Sequence, residues 1–139
     1  MKTLSRILPV LLVLALAAPA PATDSPSYAK DYLALQDALA SDQLVEARAA
    51  AARLLESAKG QKVFVAQAKK ISAAQTLTEA RKFFKALSEE AIRGSKGAFG
   101  ADSEVVSCPM AQARWIQKKG SVRNPYYGKA MLECGEKAE

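Results

Sequence analysis

Histidine is absent from the chain, which removes the commonest general base, metal ligand and pH switch together. Without an imidazole no ordinary Ser-His or Cys-His pair can be assembled. Only two cysteines occur, Cys108 and Cys134, and they are too far apart for a Cys-x-x-Cys redox motif. The acidic residues are spaced as solubilising charges on outer helical faces, not as a convergent pair, so the expectation is a protein that is not an enzyme. Proline is missing between Pro26 and Pro109, and the first glycine is Gly60, so little interrupts helix formation across the middle of the chain. No block of like charge exists to form a nucleic-acid surface, although the net charge is +6.

The one long apolar run lies at the start. Lys2 and Arg6 precede Ile7 to Ala18, and the small-residue run Ala18-Pro19-Ala20-Pro21-Ala22 follows. This is the layout of a secretory signal over residues 1–22, and the apolar stretch is too short for a comfortable membrane span. Cutting after Ala20 would leave Pro21 first, so cutting after Ala22 is favoured and the mature chain starts at Thr23. The 117 remaining residues of 139 suit one domain, 23–139, and loss of Lys2 and Arg6 lowers the net charge from +6 to +4. The mature protein is expected to be exported and soluble, with no stable membrane span and no nucleic-acid partner.

Four helices are expected over about 27–99. Tyr28, Tyr32, Leu35 and Leu39 make one stripe of a helix from Ser27 to Ala40. Asp42 is placed to cap a second, with Leu44, Ala47, Ala51, Leu54 and Ala58 inward and Gly60 ending it. A third spans about Val63 to Ala74. Thr76 and Glu79 have capping-box spacing before a fourth, whose inner face is Ala80, Phe84, Leu87 and Ala91 with Phe83 at the margin. Short connections imply an all-α, antiparallel four-helix bundle. A C-terminal extension, about 104–135, would carry irregular or short-strand pieces at Glu104 to Ser107 and Ala113 to Gln117, an Asn124-Pro125 turn, and final helical turns from Tyr127 to Cys134.

All the sulfur of the mature chain lies in that extension, as Cys108-x-Met110 and Met131-x-x-Cys134. Residues two apart on an extended segment, or three apart on a helical turn, point the same way. Two thiolates and two thioethers could therefore converge, a donor set that selects copper(I) over hard cations. Trp115 and Tyr127 are candidates to line such a site. The alternative from the same residues is a Cys108–Cys134 disulfide, ordinary in an exported domain and worth about 3.5 kcal/mol in the chain-entropy picture. The methionines would then be packing residues.

The segment SCPMAQARWIQKKGSVRNPYYGKAMLECGE resembles the domain of unknown function 3347 family, through Cys108-Pro109-Met110-Ala111, Trp115, Arg123 to Gly128, Met131-Leu132 and Cys134-Gly135. The stretches YLALQDALASDQLVEARAAAARL and EARKFFKALSEEAI are similar to its helical part. The resemblance implies a periplasmic, stand-alone form of a domain also found fused to adaptor subunits of heavy-metal efflux pumps, and hence copper or related metal handling with such an adaptor as partner. The spacer before the Trp is short here, and the histidine-rich segments of some relatives are missing. A disulfide-closed interaction module of an efflux or envelope complex, binding no metal, is the competing class.

Overall fold

A computed structural model describes residues 26–138; the expected signal, residues 1–22, and the expected new terminus at Thr23 lie outside them. Four helices come first: α1 Ser27–Ala40, α2 Leu44–Ser57, α3 Lys62–Ser72 and α4 Leu77–Ser95. Each packs on its predecessor through a short connection. The expected inner faces are the buried ones: Tyr32, Leu35 and Leu39 on α1; Ala47, Ala51 and Leu54 on α2; Ala80, Phe84, Leu87 and Ala91 on α4. Alanine on so many inward positions lets the helix axes approach closely. Helix α1 and helix α4 meet through long side chains, with the Tyr32 and Phe84 rings 5.4 Å apart and the Tyr32 hydroxyl 2.6 Å from Ser88 Oγ. Phe99, from a 3-10 turn over Lys96–Phe99, closes edge-on against Tyr32.

The caps follow the sequence in part. Thr76 Oγ1 accepts from Glu79 N–H at 3.1 Å, while the Glu79 carboxylate returns to Gln75 N–H rather than to Thr76, one residue outside the usual box. Gly60, at φ +95°, ends α2 as expected. Asp42 does not cap α2. It sits at φ +58°, the N-cap position is Gln43 without a side-chain bond, and the Asp42 carboxylate is taken by Arg81 and by Lys129 N–H.

The expected all-α architecture is overturned. After α4 the chain builds a three-stranded antiparallel sheet from β1 Ser103–Cys108, β2 Ala113–Lys118 and β3 Glu136–Ala138, in the order β2-β1-β3. Helices still dominate, but the C-terminal part is a sheet and not a helical extension. The helical turns expected from Tyr127 to Cys134 shrink to one 3-10 turn, Gly128–Met131, because Gly128 takes φ +58° and Cys134-Gly135 must straighten to feed β3. The outer edge of β2 is docked on the helices: Ile116 N–H donates to the buried Tyr32 hydroxyl at 3.1 Å. That contact satisfies an edge N–H group that would otherwise template pairing with another chain. Val106, Trp115 and Ile116 continue the same core as the helices.

Candidate functional site: the Cys108–Cys134 thiol pair

Cys108 is the last residue of β1, paired with Ala113 across the hairpin. The chain reverses through Pro109 to Gln112, closed by Gln112 N–H to Pro109 carbonyl at 3.1 Å with Gln112 in the left-handed region at φ +48°. The extended segment thus ends at Cys108, and Met110 rides on the turn instead of sharing a strand face with it. Cys108 is 1% exposed and Met110 63%. Alternation along the strands puts Val106, Cys108, Ala113, Trp115 and Gln117 on one face. Residues 121–135 fold over that face: Gln117 bonds Ser121 carbonyl and Arg123 N–H, and Tyr126 meets Trp115 edge-on at 5.9 Å.

That covering segment delivers the second thiol. Asn124, fully buried, organises it with every polar atom it has. Its Oδ1 accepts from Tyr126 and Tyr127 N–H at 2.8 and 3.1 Å, and its Nδ2 donates to the Cys134 carbonyl at 2.7 Å. Its main chain bonds Leu132 carbonyl and Gly128 N–H. Cys134 N–H closes a turn on Met131 carbonyl at 3.1 Å, keeping the half-buried Met131 one turn behind the thiol. Gly135 is required next: a Cβ there would come 2.8 Å from Val106 and 2.9 Å from the Trp115 ring. The result brings two sulfurs from opposite ends of the segment to 3.0 Å, both as free thiols, Cys108 buried and Cys134 half-buried.

The two thiols are electrostatically unlike. Burial pushes Cys108 up, but hydrogen bonds from Cys134, from the Ala111 and Met110 N–H groups and from Asn124 outweigh it and leave it below the ordinary thiol value. Cys134 is raised, first by holding its proton towards Cys108. Basic side chains near the segment are already engaged: Arg114 with Glu89, Arg123 with Asp37 and Ser41. Lys85 Nζ reaches the hairpin turn at Ala111 carbonyl, 3.4 Å.

The two residues expected to line the site are both beside it. Trp115 lies beneath the Cys134-Gly135 backbone, fully buried, with Nε1 committed to Gln117 Oε1 at 3.0 Å. Tyr127 joins the two halves through its hydroxyl, which donates to Met110 carbonyl at 3.2 Å. Sequence reasoning missed the clasp that holds residues 123–129 to the helices. Arg81 Nε donates to Pro125 carbonyl, and its Nη2 to Leu39 carbonyl and Asp42. Gly128 lies so close under the Asp42–Arg81 pair that any Cβ would collide with both. A signal for it existed in Asn124-Pro125 and Gly128, which read only as turn residues.

The donor chemistry favours soft ions. Among the described residues no group of three or more His, Cys, Asp or Glu side chains is placed to hold a metal, so an ion here would depend on sulfur. A 3.0 Å gap is wider than an S–S bond of about 2.05 Å. It is narrower than the roughly 3.7–4.6 Å spanned by two thiolates on one ion at about 2.3 Å each.

The profile of the family described as "Protein of unknown function (DUF3347)" matches residues 29–103, more than half of the chain, and the chain belongs to that family. The match takes in the four helices and stops at the first residue of β1, short of both cysteines. Comparison with curated proteins and with solved structures returned no match.

Proposed function

We propose that this chain is an exported, periplasmic protein that binds one copper(I) ion through the reduced Cys108–Cys134 pair. The thiolates supply most of the affinity, and Met131 and Met110 are thioether donors from the turns flanking them. The observation that carries the reading is a thiol pair 3.0 Å apart, one member buried and the other half-buried, two residues from Met110, one of only three exposed large apolar side chains among the described residues. An exposed methionine on the turn that follows Cys108 has a use as a donor that it lacks as packing. The C-terminal resemblance supports metal handling in the envelope and an efflux adaptor as partner. Among the described residues no helix is long and apolar enough to cross a membrane.

An anaerobic copper(I) competition titration tests this. Reduced protein should take one equivalent from a weak chelator; Cys108→Ser or Cys134→Ser should weaken binding at least about a hundredfold, and Met110→Leu or Met131→Leu about tenfold or less. Oxidised protein should not compete, since a disulfide sulfur is a poor ligand. One observation favours a second reading: 3.0 Å is shorter than a shared ion needs. The pair would then serve as a disulfide in an interaction module. Copper(I) binding that is absent in the reduced protein, or equal in all variants, would select that reading.

A further inference from the structure

Between α1 and the residues that end and follow β2 lies a groove of about 460 Å³, lined by no sulfur. Its bed is polar, and its hydrogen bonds are spent on holding the walls apart. Gln36 and Gln117 there are 3% and 2% exposed. Gln36 Nε2 donates to the Arg123 carbonyl at 2.7 Å, while Gln117 accepts from Arg123 N–H and donates to the Ser121 carbonyl. The Arg123 guanidinium ties the same wall to α1 through Asp37 and Ser41, both at 2.7 Å. Residues 121–123 are therefore fixed before anything binds, and little ordering remains to be offset by a ligand.

What the walls present is apolar and cationic. Lys30, Leu33, Ala34 and Asp37 form the α1 side at helical spacing; Leu33 is half-buried and Ala34 exposed. The exposed Lys118 stands on the β2 side. Three cations and one carboxylate line the groove, and that carboxylate already accepts from Arg123. Such walls suit an anion. A compact anion would leave much of the surface unused, because the groove continues. A second groove of about 320 Å³, between α1 and α2, shares Ala34 and Asp37 with the first and runs on over Ala38, Ala49 and Ala50. Its remaining charges, Glu46 and Arg53, are opposite in sign. A cationic end followed by a strip of alanines matches a chain better than a single group.

We infer that the two grooves together are a docking site for an extended acidic segment of a partner polypeptide. Its carboxylates lie between Lys30 and Lys118, and its small apolar side chains follow the alanines. The site depends neither on the sulfurs nor on any ion they hold.

The probe is a capped octapeptide of four glutamates followed by four alanines, titrated into reduced, metal-free protein at about 0.15 M salt. It should bind with a dissociation constant below about 0.5 mM and move the amide resonances of residues 30–37 and 117–123. The same peptide with lysine for glutamate should move none of them. Lys118→Glu should weaken binding at least about tenfold. Lys69→Glu makes the same change of charge on α3, which lines neither groove, and should stay within about twofold of wild type. Ala34→Gln leaves the charge alone but fills the strip that the grooves share, and should weaken binding about fivefold or more. All three positions are exposed, so folding is not at stake. Equal losses in Lys118→Glu and Lys69→Glu would reduce the attraction to net charge and overturn the site. Binding weaker than about 0.5 mM, or resonances moving elsewhere, would do the same. Glutarate binding as tightly as the peptide would overturn the polypeptide partner and leave a pocket for a small anion.

Discussion

Asp42 is in a left-handed conformation uncommon for a residue with a side chain, φ +58°, and its carboxylate explains the cost. One oxygen takes Arg81 at 2.6 Å and the other takes Lys129 N–H at 3.0 Å. The Arg81 hydrogen bond, then that of Lys129, hold Asp42 below the usual carboxylate range against some desolvation. A carboxyl whose folded pKa is depressed stabilises the fold above its unfolded value, near 3.8, and loses that contribution as pH falls through the folded value. Wild type should therefore lose more of its urea midpoint between pH 6 and pH 3 than Asp42→Asn. Glu89, held low first by its hydrogen bond from Arg114, titrates with the same sign in both proteins and cancels. Parallel pH profiles would show that the clasp contributes nothing through charge. Arg81→Ala, which strips three acceptors in a side chain 16% exposed, should cost about 3 kcal/mol at pH 7.

At the scale of elements, α4 is the best test of helical phase. Phe84 has no exposed surface and touches the Tyr32 and Tyr126 rings; Lys82, two residues away, is exposed. Phe84→Ala should cost about 3–5 kcal/mol and Lys82→Ala almost nothing. Thr76→Ala should cost about 1 kcal/mol through the lost cap. Denaturant titrations would check all three, and similar losses at 82 and 84 would refute the phase. The helices were legible because their signal is local: an apolar stripe with period 3.6, uninterrupted by proline, and Thr-x-x-Glu at its start. The sheet was not, because its evidence is pairing. β1 and β2 were visible as short β-branched and aromatic runs, but Glu136–Ala138 is three exposed residues without a pattern. It becomes a strand only because β1 offers it an edge at Val105 to Ser107. The site divides the same way. Residue type singled out the cysteines, and the structure brings those two thiols together across 26 positions, while Met110 rides exposed on the hairpin turn. Asn124 carried no such mark, since a buried asparagine and a turn asparagine before proline look alike in sequence.

For the whole molecule, the question is whether sheet and helices stand or fall together. Tyr32 from α1 bonds Ser88 of α4 and Ile116 of β2 at one buried hydroxyl, and burial pushes that hydroxyl's pKa up. Phe84 reaches the covering segment at Tyr126, which in turn packs on Trp115. No layer of apolar contact separates a helical core from a sheet core, so unfolding should be one cooperative transition. The chain offers two independent probes. Far-UV circular dichroism reports α1 to α4, and fluorescence of Trp115, the single tryptophan, reports the sheet. The two urea curves should coincide for reduced protein. Closing Cys108–Cys134 removes entropy only from the loop between them, worth about 3.5 kcal/mol, yet in a single cooperative unit it should move both probes to higher urea by the same amount. A tryptophan transition that precedes the helical one, or a disulfide that shifts fluorescence alone, would mean that the sheet is a separable unit. The thiol pair could then open without disturbing the helices, and its redox state would be invisible to any partner docked on them.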